Sequence, residues 1–328
     1  MEILILGGTA WLGRELSREA IRRGHRATCL ARGESGQVTE GARLVTADRS
    51  GPAPYAPLLD RTWDAVFEVS WQPGFVRDAL AALGGRARHW TYVSSINAYA
   101  SHSEPDADES APLLGPTAER EADRTLYGEA KVACEQASAE AVGDRLLTVR
   151  PGLIGGPGDP SGRSGYWVAR AARAPKSPLL VPDTPRLPTQ TIDVRDLTAW
   201  LMTMAEERAA GTYDAVGRTT PFADWIAASR EIGGHTGPVV PAPSNWLLAQ
   251  GVAQYMGPES LPQWLVEPGS EGWSTRNGTA ARKTGLGLRP LTETLSDTLA
   301  WERTQDLHRP RRAGLTPARE RELLTALG

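Results

Sequence analysis

Glu2-Ile3-Leu4-Ile5-Leu6 opens the chain as an apolar run of strand length with no polar alternation, the pattern of a buried strand. A helical spacing follows through Leu16, Ala20 and Ile21 and stops at Gly24. Further strand-length segments are Ala27–Ala31, Arg43–Thr46, Ala65–Ser70, Trp90–Ser94 and Leu146–Arg150. Helical patterns lie between several of them, including Phe75–Leu83 and the stretch that begins at Tyr127. Strands alternating with helices, joined by right-handed crossovers, predict an α/β fold with a doubly wound parallel sheet. Residues 101–123 are acidic and proline-bearing, and read as a long solvated surface excursion more than as a lid. Pro and Gly cluster from Pro157 to Pro188; the helix Val194–Glu206 and the strand Gly211–Val216 then return to the main pattern. Helices at Phe222–Ile232, Trp246–Tyr255 and Leu291–Arg303 predict a smaller, mostly helical C-terminal domain over the crevice. The expected division is 1–155 with 189–217 for the first domain and 156–188 with 218–328 for the second. The basic run Arg309–Arg312 reads as a solvated end.

Three features of this pattern carry chemistry. The first is Tyr127 and Lys131, which share one helix face at a spacing of i and i+4. An ammonium one turn from a phenol favours the ionised phenol, making an acid/base for a carbonyl or hydroxyl. Lysine is scarce: Lys131, Lys176 and Lys283 are the only ones among 36 Lys and Arg. The second is the turn Gly7-Gly8-Thr9-Ala10-Trp11-Leu12-Gly13 between the first strand and the first helix. Such a turn offers backbone N–H groups and a helix N-terminus to a pyrophosphate. Ala10 stands where the usual pattern has its middle glycine. The third is Ser94-Ser95 at the end of the strand from Trp90, where open α/β sheets bind ligands. A hydroxyl there can align a substrate oxygen with the phenol.

In this order the motifs resemble the short-chain dehydrogenase/reductase superfamily, and more closely its extended branch, the NAD-dependent epimerase/dehydratase-like proteins. The segments Arg150–Pro160, Thr191–Trp200 and Arg289–Trp301 match later signatures of that branch, so the resemblance spans nearly the whole chain. It implies a Rossmann-type sheet, a dinucleotide cofactor, and Ser95, Tyr127 and Lys131 as catalytic residues. Ser94 is the alternative to Ser95; the spacing to Tyr99 suits Ser95 better. It also implies cofactor contacts from Gly7, Thr9, Ala10, Trp11, Leu12 and Gly13, and from Val69, Ser70 and Trp71 after the fourth strand. Ser94, Pro151 and Leu153 belong to the nicotinamide end, and Asp48 to the adenine amine. The second strand ends in Arg32 with no carboxylate before Glu34, which favours NADP over NAD unless Arg32 is a plain surface arginine. Arg49 is a candidate to stack on adenine or reach a 2′-phosphate. Asn97, Tyr99, Trp71, Tyr166 and Trp167 are candidate substrate contacts, each with core packing as the alternative.

Composition narrows the field. The net charge of −3 over 328 residues carries no footprint for nucleic acid or an anionic membrane. No stretch reaches membrane-spanning length, and the initial apolar run is short for a signal sequence, so a cytoplasmic protein is expected. Cys29 and Cys134 read as free thiols, and no metal-ligand spacing exists among two Cys and five His. The leading expectation is an NADP(H)-dependent oxidoreductase acting on a ketone or secondary alcohol of a small molecule, as a monomer or homodimer. A nucleotide-sugar epimerase with tightly held NAD(P) is the second reading, and a non-catalytic nucleotide- or RNA-binding relative the third. A dehydratase is disfavoured, because Ile96 and Asn97 follow Ser95 where dehydratases of this branch carry carboxylates.

Overall fold

Strand β1 (Glu2–Leu6) is the axis of the molecule, because its alternate residues feed two different cores. The structure is a computed structural model and describes all 328 residues. Ile3 and Ile5 pack with Leu16 and Ala20 of α1 (Trp11–Arg22) and Leu197 and Leu201 of α5 (Val194–Glu206). Leu4 and Leu6 face Val76, Ala79 and Leu80 of α2 (Pro73–Leu83) and Cys134 and Val142 of α3 (Tyr127–Val142). All four β1 side chains are fully buried, each removal of such a side chain from water being worth about 1.5–3 kcal/mol. A continuous apolar run is what a strand covered by helices on both faces requires.

The sheet has seven parallel strands. From one edge the order is Gly211–Ala215, β6 (Leu146–Pro151), β5 (Trp90–Val93), β4 (Ala65–Glu68), β1, β2 (Arg26–Ala31) and β3 (Arg43–Thr46). The chain reverses its winding between β1 and β4, which leaves a crevice at the strands' carboxyl ends. The doubly wound Rossmann-type sheet is as the sequence predicted.

A third apolar cluster lies outside the sheet. It joins α4 (Tyr166–Arg173), α6 (Phe222–Gly233), the helix Leu291–Thr304 and the C-terminal helix Pro317–Leu327. Here the sequence reading needs correction in three places. The helix expected at Trp246–Tyr255 covers only Ser244–Ala249; Gly251 then turns with φ +76° and Ala253–Gln254 pairs with Ser260–Leu261. Arg309–Arg312 is no solvated end: Arg309 and Arg311 both reach the interior carboxylate of Glu302 at 2.7 Å. A carboxylate so buried is stable only with partners, and it draws the basic run inward. Tyr166 and Trp167, expected at the substrate, lie in the middle of this cluster with 1% of their surface exposed, and Trp167 Nε1 donates to Pro262 O at 2.8 Å.

Tyr99 is likewise an interior residue and not a substrate contact. Its hydroxyl donates to Asp214 Oδ1 at 2.7 Å and accepts from Arg150 Nη1 at 3.0 Å. Arg150 is paired in turn with Glu135 of α3 at 2.7 Å. Arg276 closes the network: it pairs with Asp214 at 2.7 Å and lies 3.5 Å from the Tyr99 ring centroid. Burial raises the Asp214 carboxyl to about 6 even with Arg276 against it. The excursion 101–123 is stitched to the same place. Gly272 N donates to His102 O, Asp106 N to Thr275 O, and Asn277 N to Ala107 O. It is the surface excursion that its acidic composition suggested, most of its residues being exposed, and those backbone bonds and the Glu109 carboxylate at the Asp214 amide hold it down.

Asp214→Ala strands the buried Arg276 charge and leaves the Tyr99 hydroxyl without its acceptor. The expected loss is about 3–5 kcal/mol of unfolding free energy. Asp214→Asn, which keeps an acceptor, loses less; equal denaturant midpoints for wild type and Asp214→Ala would refute this role.

Candidate active site

The glycine turn is built by three close approaches, one of them Gly8, where a Cβ would collide with Cys29. Gly7 has φ +100°, a region that side chains other than glycine rarely adopt, and a Cβ there would lie 2.7 Å from Val69 Cγ2. A Cβ on Gly13 would collide with the Gly7 carbonyl and lie 2.7 Å from Gly8 Cα, so helix α1 starts directly against the turn. Gly13 therefore shapes the turn from behind and does not line the groove. Gly7, Thr9 and Ala10 line a groove of about 850 Å³ together with Arg32, Asp48, Arg49, Val69, Ser70 and Trp71. This groove has the place and lining expected for the adenosine half of a dinucleotide. Arg32 is largely exposed; Glu34 lies 3.2 Å from it, and the Asp48 carboxylate is close enough to feel its charge. Asp48 Oδ1 accepts from the Ser50 hydroxyl and amide, which hold its carboxyl below the usual range.

Arg49 departs from the expectation of a free ligand. Its guanidinium forms two bonds with the fully buried Glu68, at 2.9 and 2.5 Å, and others with Tyr55 and the Phe75 carbonyl. A buried carboxylate at the end of β4 needs that cation, so Arg49 is spent on Glu68 and not available for a 2′-phosphate.

Val69 is shared with a second crevice of about 930 Å³, lined by Trp11, Leu12, Ser94, Ser95, Asn97, Tyr127, Lys131, Pro151 and Leu153. Tyr127 is the first residue of α3 and Lys131 lies one turn on, as their spacing predicts. Lys131 is 3% exposed; Nζ donates to Val93 O at 2.6 Å and lies 5.0 Å from the Tyr92 ring and 5.9 Å from the Tyr127 ring. The ammonium is thus held between the end of β5 and the phenol. Gly128 permits this approach, since a Cβ there would collide with the Asn97 carbonyl and Leu114. Ser95 Oγ donates to Asn97 Oδ1 at 2.9 Å and accepts from Asn97 N at 3.2 Å, which orients the hydroxyl at the strand end. Ser94 Oγ is buried without a protein partner. Trp71 packs on the Tyr127 ring, centroids 5.4 Å apart at 60°.

The rest of the crevice was not foreseen. His102 enters from the excursion; Asp159, Ser161 and Arg163 come from the loop after β6; Gln254, Tyr255, Met256, Glu267 and Trp273 come from the C-terminal half. These residues are scattered through irregular segments without periodicity, so no sequence pattern joins them. Cys29 and Cys134 lie apart from both cavities, with burial pushing each thiol up to about 11, as inert free thiols. No group of three or more His, Cys, Asp or Glu could hold a metal ion, and no helix is long and apolar enough to cross a membrane.

His102 meets the Trp273 ring edge-on at 4.4 Å, and burial, with Arg276 second, brings its pKa down to about 4. An imidazole depressed below its unfolded value of 6.5 contributes stability above pH 6.5 that is lost as pH falls through 4. His102→Phe has no such titration. The denaturation midpoint of the wild type should therefore fall relative to this variant between pH 7 and pH 4.5, and parallel curves would sink the assignment.

A profile of the NAD dependent epimerase/dehydratase family matches residues 3–216. A dTDP-4-dehydrorhamnose reductase from Streptomyces griseus is 31% identical over 240 residues, covering 70% of this chain and 74% of that protein. A candidate epimerase from Burkholderia cenocepacia superposes with a TM-score of 0.72 at 22% identity, over 92% of this chain and 98% of its own. UDP-glucose 4-epimerase of Thermus thermophilus, solved with NAD, has a TM-score of 0.65 at 17% identity, over 92% and 99%. The family match and the Streptomyces relative agree with the motifs at the crevice, and the chain belongs to the NAD-dependent epimerase/dehydratase family of extended short-chain dehydrogenases/reductases.

Proposed function

We propose that the protein is an NADP(H)-dependent oxidoreductase that reduces a ketone, or oxidises the corresponding secondary alcohol, on a small molecule. The observation that carries this reading is the convergence of Ser95, Tyr127 and Lys131 in a crevice that meets the glycine-turn groove at Val69. A dinucleotide fits the residues present: Gly7, Thr9 and Ala10 line the groove at the start of α1, and the buried Ser94 hydroxyl lacks a protein partner. Gly7, Thr9 and Ala10 would hold the pyrophosphate, Asp48 the adenine amine, and Lys131, Pro151 and Leu153 the nicotinamide end. Bound there, the nicotinamide supplies or accepts the hydride. The Tyr127 hydroxyl gives its proton to the substrate oxygen in reduction and takes it back in oxidation, while the Ser95 hydroxyl orients that oxygen. Lys131 keeps a positive charge beside the phenol. Residues 156–188 with 218–328 serve as the substrate-binding part, through Arg163, Tyr255 and Trp273 at the crevice.

The epimerase reading draws on the solved neighbours, three of them bound to NAD, whereas the Streptomyces relative is named as a reductase. Cofactor handling separates the two. A reductase exchanges its cofactor every turnover; an epimerase regenerates it in place and can keep it through purification. Identifying any cofactor that co-purifies, then following NADPH consumption with ketone and sugar-nucleotide panels, decides between them.

Tyr127→Phe should retain cofactor binding and lose about two to four decades of turnover. Near-normal turnover would remove Tyr127 from the mechanism. With Arg49 tied to Glu68, Arg32 is the guanidinium left for a 2′-phosphate. NADPH should then bind more tightly than NADH by about 1.5–3 kcal/mol, roughly ten- to two-hundredfold. Arg32→Asp should reverse the order in a calorimetric titration; an unchanged order would assign the selectivity elsewhere.

A further inference from the structure

Arg163 stands out among the arginines at the interior. Arg49, Arg150, Arg170, Arg276 and Arg311 are each paired with a buried carboxylate. Arg163 is half-buried and lines the reactive crevice, and its side-chain bond runs from Nε to Ser161 Oγ at 3.1 Å. That serine is itself fixed, donating to the buried Asp159 carboxylate at 2.6 Å, which also accepts from Ser164. The guanidinium is thus held by its inner nitrogen, with both outer Nη groups free, the geometry that grips a carboxylate by two parallel bonds. It lies 5.2 Å from the Tyr255 ring centroid, and Tyr255 meets Trp273 edge-on at 5.8 Å. Tyr255 is kept at φ +66°, a backbone region costly for a side chain of its size. Cation and aromatic wall belong to the same crevice as Ser95 and Tyr127.

We infer that Arg163, Tyr255 and Trp273 form a subsite for the far end of the substrate, which is a ketone with a flat apolar body and a single carboxylate. The inference rests on the ketone-reductase reading above. The carboxylate meets the Nη fork, the body lies along the aromatic wall, and the carbonyl reaches Tyr127 and Ser95. Reduction then balances as ketone, NADPH and one proton giving alcohol and NADP. A nucleoside diphosphate fits less well, because Asp159 and Glu267 offset all but one of the positive charges of Arg124, Lys131 and Arg163 that line the crevice, which is little for two phosphates.

The test compares 4-acetylbenzoate with acetophenone, and both with dTDP-4-dehydrorhamnose, by NADPH oxidation in the full-length protein. The wild type should favour the carboxylate over acetophenone in kcat/KM by about ten- to a hundredfold. Arg163→Gln should remove that ratio and Arg163→Lys restore part of it, because a lysine keeps the charge without the fork. A ratio near one in the wild type, a ratio that survives Arg163→Gln, or a preference for the sugar nucleotide each overturns the subsite. If no ketone oxidises NADPH, the reductase reading fails by itself. Calorimetry of 4-acetylbenzoate against NADP-saturated protein then judges the subsite: binding that Arg163→Gln abolishes upholds it, and no binding to the wild type overturns it.

Discussion

The charge of Arg276, 1% exposed beneath the Tyr99 ring, is the constraint on which the active crevice depends. An ion in the interior is tolerable only when its partners are close and well aimed. Asp214 supplies the countercharge from the edge strand, and Tyr99 bridges it to Arg150 in β6. Arg150 pairs with Glu135, which lies one turn beyond Lys131 on α3. Tyr99 ends the short turn that begins at Ser95, and Arg276 ends the segment that carries Trp273. One connected set of charges therefore fixes the serine turn, the Tyr–Lys helix and the roof of the crevice relative to the sheet. Charges of this kind have few satisfactory arrangements, which is why they can specify geometry where apolar packing alone would permit shifts.

The same logic sorts an arginine-rich chain. Glu68, Glu135, Glu302 and Glu320 are interior carboxylates, and each captures an arginine: Arg49, Arg150, Arg311 and Arg170 in turn. What remains uncommitted is informative. Arg32 sits at the glycine-turn groove with the exposed Glu34 and Asp48 beside it and no buried carboxylate, and Arg163, like the exposed Arg124, lines the Tyr127 crevice with no carboxylate engaged. Sequence position made Arg49 look as available as Arg32. Only the location of Glu68, fully buried inside the sheet next to the groove residues Val69 and Ser70, tells them apart.

Where the sequence spoke clearly, the information was local. The run Ile3–Leu6 can only be a strand covered on both faces, and Tyr127 and Lys131 share a helix face because the helix repeat puts them there. The glycine turn between β1 and α1 has its backbone geometry set by Gly7, Gly8 and Gly13. These features follow from periodicity and from the absence of a Cβ, both of which are properties of neighbouring residues. What only the tertiary structure decided is every assignment that rests on a long-range partner. Tyr99, Tyr166 and Trp167 proved to be interior because Asp214, Pro262 and the third core claim them from far along the chain. His102, Tyr255, Trp273 and Arg163 came to line the crevice through loops whose path is set by packing and buried charge. Local pattern determined the scaffold and the Tyr127–Lys131 pair; desolvation of distant partners determined which polar and aromatic side chains were left to line the crevice.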